Sequence, residues 1–180
     1  MDLRVKKTKS SVVNAFLQLR AKKPLERITV KELSDLAEIN KATFYLHYKD
    51  IYDLSETLEN ELFESVFNSI EHPNSVLSEP KLFVKELTNG FIANRSLIDI
   101  IFAHGRKNIL ADRLESEVKR FIYEKYPLYK DSPKLAIALT YMIKGSYYAY
   151  DENSGYGTDE VINAIGEMAE GIVAKLNLDL

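Results

Sequence analysis

The sequence predicts an all-helical protein, and two observations carry that expectation. Apolar residues recur at intervals of three and four rather than two along nearly the whole chain, and only 7 glycines and 5 prolines interrupt 180 residues. A hydrophobic content of 46 % then lets a chain of this length bury a core without covalent staples. Cysteine is absent, which removes disulfide scaffolds, thiolate metal sites and a cysteine nucleophile.

Val12, Val13, Phe16, Leu17 and Leu19 mark a first helix over 8–22. Lys23-Pro24 ends it, because the residue before proline is pushed out of the α region. Thr29 is an N-cap with Glu32 three positions on, a capping box, and Val30, Leu33, Leu36 and Ala37 form the buried stripe of a short second helix. Asn40 caps a third helix over 41–48, with Ala42, Phe44 and Tyr48 on its buried side and Lys41, Thr43, Tyr45 and His47 on its other faces. Asp50 caps a fourth, whose stripe Ile51, Leu54, Leu58, Leu62, Val66 and Ile70 stops at His72-Pro73-Asn74-Ser75. Further helices are expected near 79–94, 95–104, 106–125, 133–152 and 158–177, separated by Gly105, Tyr126-Pro127, Asp131-Ser132-Pro133 and the Asn153–Gly157 stretch. The expected organisation is a head over 1–52, a connecting helix over about 51–71, and a helical body over 73–180.

Net charge is −3, but it is unevenly placed. Residues 1–50 hold 11 Lys and Arg against 6 acids, whereas residues 51–180 hold 13 against 21. The two parts are therefore suited to different partners. M-D-L-R-V-K-K-T-K-S-S lacks an apolar segment after its charges, and no run of about 18 apolar residues occurs, so the expectation is a cytoplasmic protein with no membrane partner. Three histidines without metal-ligand spacing, no G-x-S-x-G and no glycine-rich phosphate loop argue against catalysis. No catalytic residue, metal or cofactor is expected.

Two short helices joined by Ala37-Glu38-Ile39-Asn40 and preceded by a longer one have the dimensions of a helix-turn-helix, which places its second helix in the DNA major groove. Residues at the start of that second helix must be small or polar, as Lys41, Ala42 and Thr43 are. Hydroxyls, lysines and helix N-termini hold phosphates, which accounts for Thr29, Tyr45, His47, Tyr48 and Lys49.

The run I-T-V-K-E-L-S-D-L-A-E-I-N-K-A-T-F-Y-L-H-Y-K-D, residues 28–50, resembles the N-terminal signature of the TetR (tetracycline-repressor-like) family of transcriptional regulators, and the resemblance extends from about Thr8 to Leu58. It implies that Lys31, Lys41, Ala42, Thr43 and Tyr45, with Asn40 at the helix start, meet bases or nearby phosphates, and that Thr29, His47, Tyr48 and Lys49 meet the backbone. Two positions depart from the pattern: Glu38 stands where glycine is frequent, and Ile51 where a lysine is. The resemblance further implies a repressor that binds a double-stranded, pseudo-palindromic operator as a homodimer, its last two helices forming a four-helix bundle. Leu139, Met142, Ile165, Met168 and Ile172 lie on the apolar faces suited to that interface, although those faces equally suit a monomer core. Phe91, Phe102, Tyr147 and Tyr150 could line a pocket for an apolar or aromatic small-molecule effector, or fill a plain core. The alternative from a different class is a helical interaction protein with an idle head, docking a partner through Tyr147, Tyr148 and Tyr150.

Overall fold

The computed structural model describes residues 3–178 and is all-α: ten α-helices and no strand among the described residues. The chain divides into two compact units. One comprises the residues up to Glu64 together with Asn94–Arg106; the other comprises Ser65–Ala93 together with the residues from Lys107 onward.

The first unit contains α1 (Leu3–Arg20), a 3-10 turn at Leu25–Arg27, α2 (Val30–Leu36), α3 (Lys41–Tyr45), the first part of α4 (Ile51–Asn68) and α7 (Arg95–Ile101). Its core takes most of the predicted stripe: Val12 and Phe16 of α1, Leu33 of α2, Phe44 of α3 and Leu54 of α4 are fully buried, and Ile101 of α7 joins them, but Leu36 of α2, expected on the buried side, is 45 % exposed. α2 packs on both α1 and α3, and α7 packs on α1. The expected body over 73–180 includes 95–104; in the structure this segment clusters with the first unit.

A buried polar network explains that attachment. The Arg20 guanidinium is fully buried and donates to the carbonyls of Lys23 at 3.2 Å and Ala103 at 2.8 Å. His104 donates through Nε2 to the Arg20 carbonyl at 3.2 Å, satisfying a C-terminal group of α1 that the helix itself leaves open. Arg106 pairs with the buried Glu59 at 2.9 Å, and Glu59 also accepts from the Ser55 hydroxyl at 3.0 Å. Burial, and then the nearby Arg106 charge, pull the Arg20 pKa down.

The second unit holds α5 (Ser75–Ser78), α6 (Pro80–Ala93), α8 (Lys107–Lys125), α9 (Pro133–Asn153) and α10 (Thr158–Ala174), with 3-10 turns at Pro127–Tyr129 and Ser154–Tyr156. α10 packs on α6 and α9, and α8 packs on α9. At Gly166 the approach of α10 to α6 is close: a Cβ there would lie 3.2 Å from the Cα of Lys81. Ser132 caps α9 by accepting the Leu135 amide at 3.3 Å, and Pro133 starts the helix where its missing N–H has no intrahelical partner to lose.

Four local expectations change. α1 begins at Leu3 rather than near residue 8. α3 stops at Tyr45 rather than 48, so Leu46 and His47 lie in the turn leading to α4. α5 is a single turn that apolar spacing did not predict. The capping box at Thr29 is only half made: its hydroxyl accepts the Glu32 amide at 3.2 Å, but the Glu32 carboxylate pairs with Lys23 instead of reaching back.

Candidate nucleic-acid interface

The candidate site is the outer face of α3 and its flanks. α2 ends at a turn in which Glu38 takes a left-handed conformation (φ 55°), while the Ile39 amide donates to the Ser34 carbonyl at 3.0 Å. Asn40 then opens α3. Its Oδ1 accepts the Thr43 amide at 2.7 Å and the Thr43 hydroxyl at 2.9 Å, fixing the first turn and orienting Thr43. Asp50 does the same for α4, accepting the Asp53 amide at 2.8 Å, and Asp53 reaches back to the Lys49 amide at 2.9 Å. Both carboxylates beside Lys49 are thereby occupied with backbone donors.

Phe44 anchors α3 in the core and also orients Tyr45, whose ring stands edge-on to it at 5.5 Å and 83°. Around that anchor Thr29, Lys31, Asn40, Lys41, Ala42, Tyr45 and Lys49 are exposed, and Thr43 and His47 are half-buried. Two placements differ from the sequence reading. Ala42, assigned to the buried side as well as to the base-contacting set, is exposed, because the seat of so short a helix is filled by Phe44. Tyr48, assigned both to the buried side of the third helix and to the DNA backbone, is 6 % exposed and packs against Phe44 at 5.7 Å, so the first assignment holds and the second does not; burial first, then the carboxylates of Glu61 and Asp53, push its phenol pKa up. Leu46 and Tyr52, not singled out from the sequence, are 80 % and 56 % exposed beside this face. The signal for Leu46 was its spacing, four residues after Ala42 and one after Tyr45.

The expected pocket residues are not brought together within one unit. Phe102 belongs to the first unit, where it is 4 % exposed beneath the Arg106 guanidinium at 5.7 Å, whereas Phe91, Tyr147 and Tyr150 belong to the second. Phe102 is therefore core. A groove of about 280 Å³ in the second unit is lined by others, among them Leu77, Pro80, Glu170 and Val173.

The expected interface residues also divide. Leu139 and Ile165 are buried within the second unit, Met142 and Ile172 are half-buried, and Met168 is 68 % exposed. α9 exposes Ile137, Tyr141 and Tyr148 instead. One group of metal-capable side chains forms among the described residues: Glu71, His72 and Glu86, their ligand atoms within 4.8 Å of one another. Its closeness has a simpler cause, since Glu86 binds His72 twice, at Nδ1 (2.6 Å) and at the backbone amide (3.0 Å), closing an exposed turn.

No family model matches the chain. Over 101 residues it is 25 % identical to YxbF of Bacillus subtilis (strain 168), a protein described as an uncharacterized HTH-type transcriptional regulator. The match covers 53 % of this chain and 27 % of that protein, so this chain spans well under half of its relative's length. No helix of the described residues is long and apolar enough to cross a membrane.

Proposed function

We propose that this chain is a DNA-binding transcription regulator of the TetR type, a binding protein rather than an enzyme, which represses by occupying a pseudo-palindromic operator as a homodimer. The observation that carries the reading is the face of α3: a helix capped and oriented by Asn40 and Phe44, presenting Lys41, Ala42, Tyr45 and Lys49 outward. The major groove admits an α-helix, and the side chains at its start reach base edges. In this reading Lys41 and Thr43 meet base edges, while Thr29, Tyr45 and Lys49 hold phosphates and set register. The basic surplus of residues 1–50 supplies the attraction to a polyanion. The name of the B. subtilis relative agrees with this reading.

Pairing is assigned to the outward faces of α9 and α10, where Ile137, Tyr141 and Met168 are each more than two-thirds exposed. A two-fold pair of heads requires half-sites about one helical turn, or a small multiple, apart. An apolar effector belongs to this proposal through the half-buried aromatics Phe91, Tyr147 and Tyr150 of the second unit; a thermal-shift screen of aromatic small molecules tests it.

Repeated selection from a random-sequence duplex pool tests the main reading. Enrichment of one inverted repeat is the expected result. Recovery of unenriched sequence, or no retained duplex at low salt, refutes it and turns attention to the exposed tyrosines of α9 as a protein-docking surface.

A further inference from the structure

We infer that Leu46, with Ala42, reads thymine: the apolar strip on the outer face of α3 seats C5-methyl groups, so each half-site carries a thymine opposite it. This rests on the DNA-binding reading above and adds a base identity to it.

Leu46 is 80 % exposed, so it is not a core residue. Although α3 ends at Tyr45, Leu46 keeps helical angles (φ −71°, ψ −20°) and its amide still donates to the Ala42 carbonyl at 3.2 Å. Helical register therefore persists through residue 46. Ala42, Tyr45 and Leu46, at i, i+3 and i+4, share one face, and Lys49 follows in the turn beyond it. All four are exposed, with Lys41 alongside. An alkyl strip flanked by ammonium groups suits a surface that is itself apolar in spots and anionic around them.

The major groove is such a surface, and thymine alone among the four bases presents a methyl group there. Against the other bases Leu46 would cover amino or carbonyl groups without offering a hydrogen bond, leaving them desolvated. Preference for thymine thus arises from both a gain and an avoided loss.

Replacing deoxythymidine by deoxyuridine deletes the methyl and changes no hydrogen-bonding group, and it needs no protein variant. In duplexes selected from the random pool, each thymine is replaced in turn and affinity measured by fluorescence anisotropy. One thymine in each half-site should show about fourfold weaker binding on replacement, the worth of one buried methyl-sized group. With Leu46→Ala, the thymine and uracil duplexes should bind alike; with Lys49→Ala both should weaken while their ratio stays. Equal binding of every uracil duplex by the unaltered protein, a selected half-site without thymine, or a ratio that survives in Leu46→Ala overturns the inference while leaving DNA binding intact. Failure to retain any duplex removes both.

Discussion

Glu38 holds a left-handed backbone conformation (φ 55°) that glycine adopts without a steric penalty, and its side chain is exposed. The conformational cost for a residue with a Cβ is about 1–2 kcal/mol, offset in part by the greater chain entropy of an unfolded glycine. Glu38→Gly should therefore raise stability by about 0.5–1 kcal/mol, read as a higher denaturant midpoint at unchanged slope; an unchanged or lower midpoint would show that the turn is not strained. Lys41 and Lys49 separate on a different measurement. Lys41→Ala should alter preference at one or two base pairs, each worth about 1–3 kcal/mol, whereas Lys49→Ala should weaken all duplexes alike and reduce the salt slope by about one unit. The reverse pattern would mean that α3 is docked the other way round. Most of this site was legible in the sequence because caps and helix register are local. Tyr48 was legible in part: spacing puts it on the buried side, where it lies, but also among the backbone contacts, which its burial rules out.

α8 and α9 are joined by a charged seam centred on Glu115. Its carboxylate accepts from Lys119 at 2.6 Å and from the Thr140 hydroxyl at 2.5 Å, and Lys144 lies 3.2 Å away. The Lys119 bond first, then those from Thr140 and Lys144, hold Glu115 well below its ordinary value of 4.5, at about 2. A carboxylate with a depressed folded pKa adds stability above its unfolded pKa and loses it as pH falls through the folded one. The window here runs from about 4.5 down to about 2. Glu115→Gln should cost on the order of 2–3 kcal/mol at pH 7, and its stability should converge on that of the unaltered protein as pH approaches the lower end of the window. Parallel stability curves across that range would show that the seam contributes nothing through ionisation. Spacing along α8 exposes the Glu115–Lys119 pair to a sequence reader, but Thr140 and Lys144 reach it only because α9 packs alongside.

Each of the last two helices buries one face and leaves large apolar side chains exposed on another, Ile137, Tyr141 and Tyr148 on α9 and Met168 on α10. Met168 on α10 and Tyr141 on α9 are 68 % and 72 % exposed. Met168→Asp combined with Tyr141→Asp should give a folded monomer of unchanged helical content by circular dichroism that has lost cooperative operator binding. The unaltered protein should sediment as a dimer at micromolar concentration. Ile165→Asp is expected to behave differently, because Ile165 is 7 % exposed within its own chain and a charge there unfolds the second unit rather than parting two copies. Sedimentation of the unaltered protein as a monomer would end the pairing proposal.

Helix class, the order of the long elements and the caps at Thr29, Asn40 and Asp50 follow from relations within four residues, and for that reason a single sequence displays them. The outer face of α3 was half visible: Phe44 and Lys41 declared themselves by periodicity, but Ala42 and Leu46 did not, because five residues are too few for an apolar stripe to show which side is inward. Other outcomes depended on partners far along the chain. Glu32 left its capping box for Lys23; residues 94–106 joined the first unit through Arg20, Glu59 and Ala103; Phe102 went to that core; and Leu139 and Ile165 went inward while Tyr141 and Met168 stayed out. Apolar spacing marks a residue as able to be buried, but only the packed neighbours decide whether it is buried and against what.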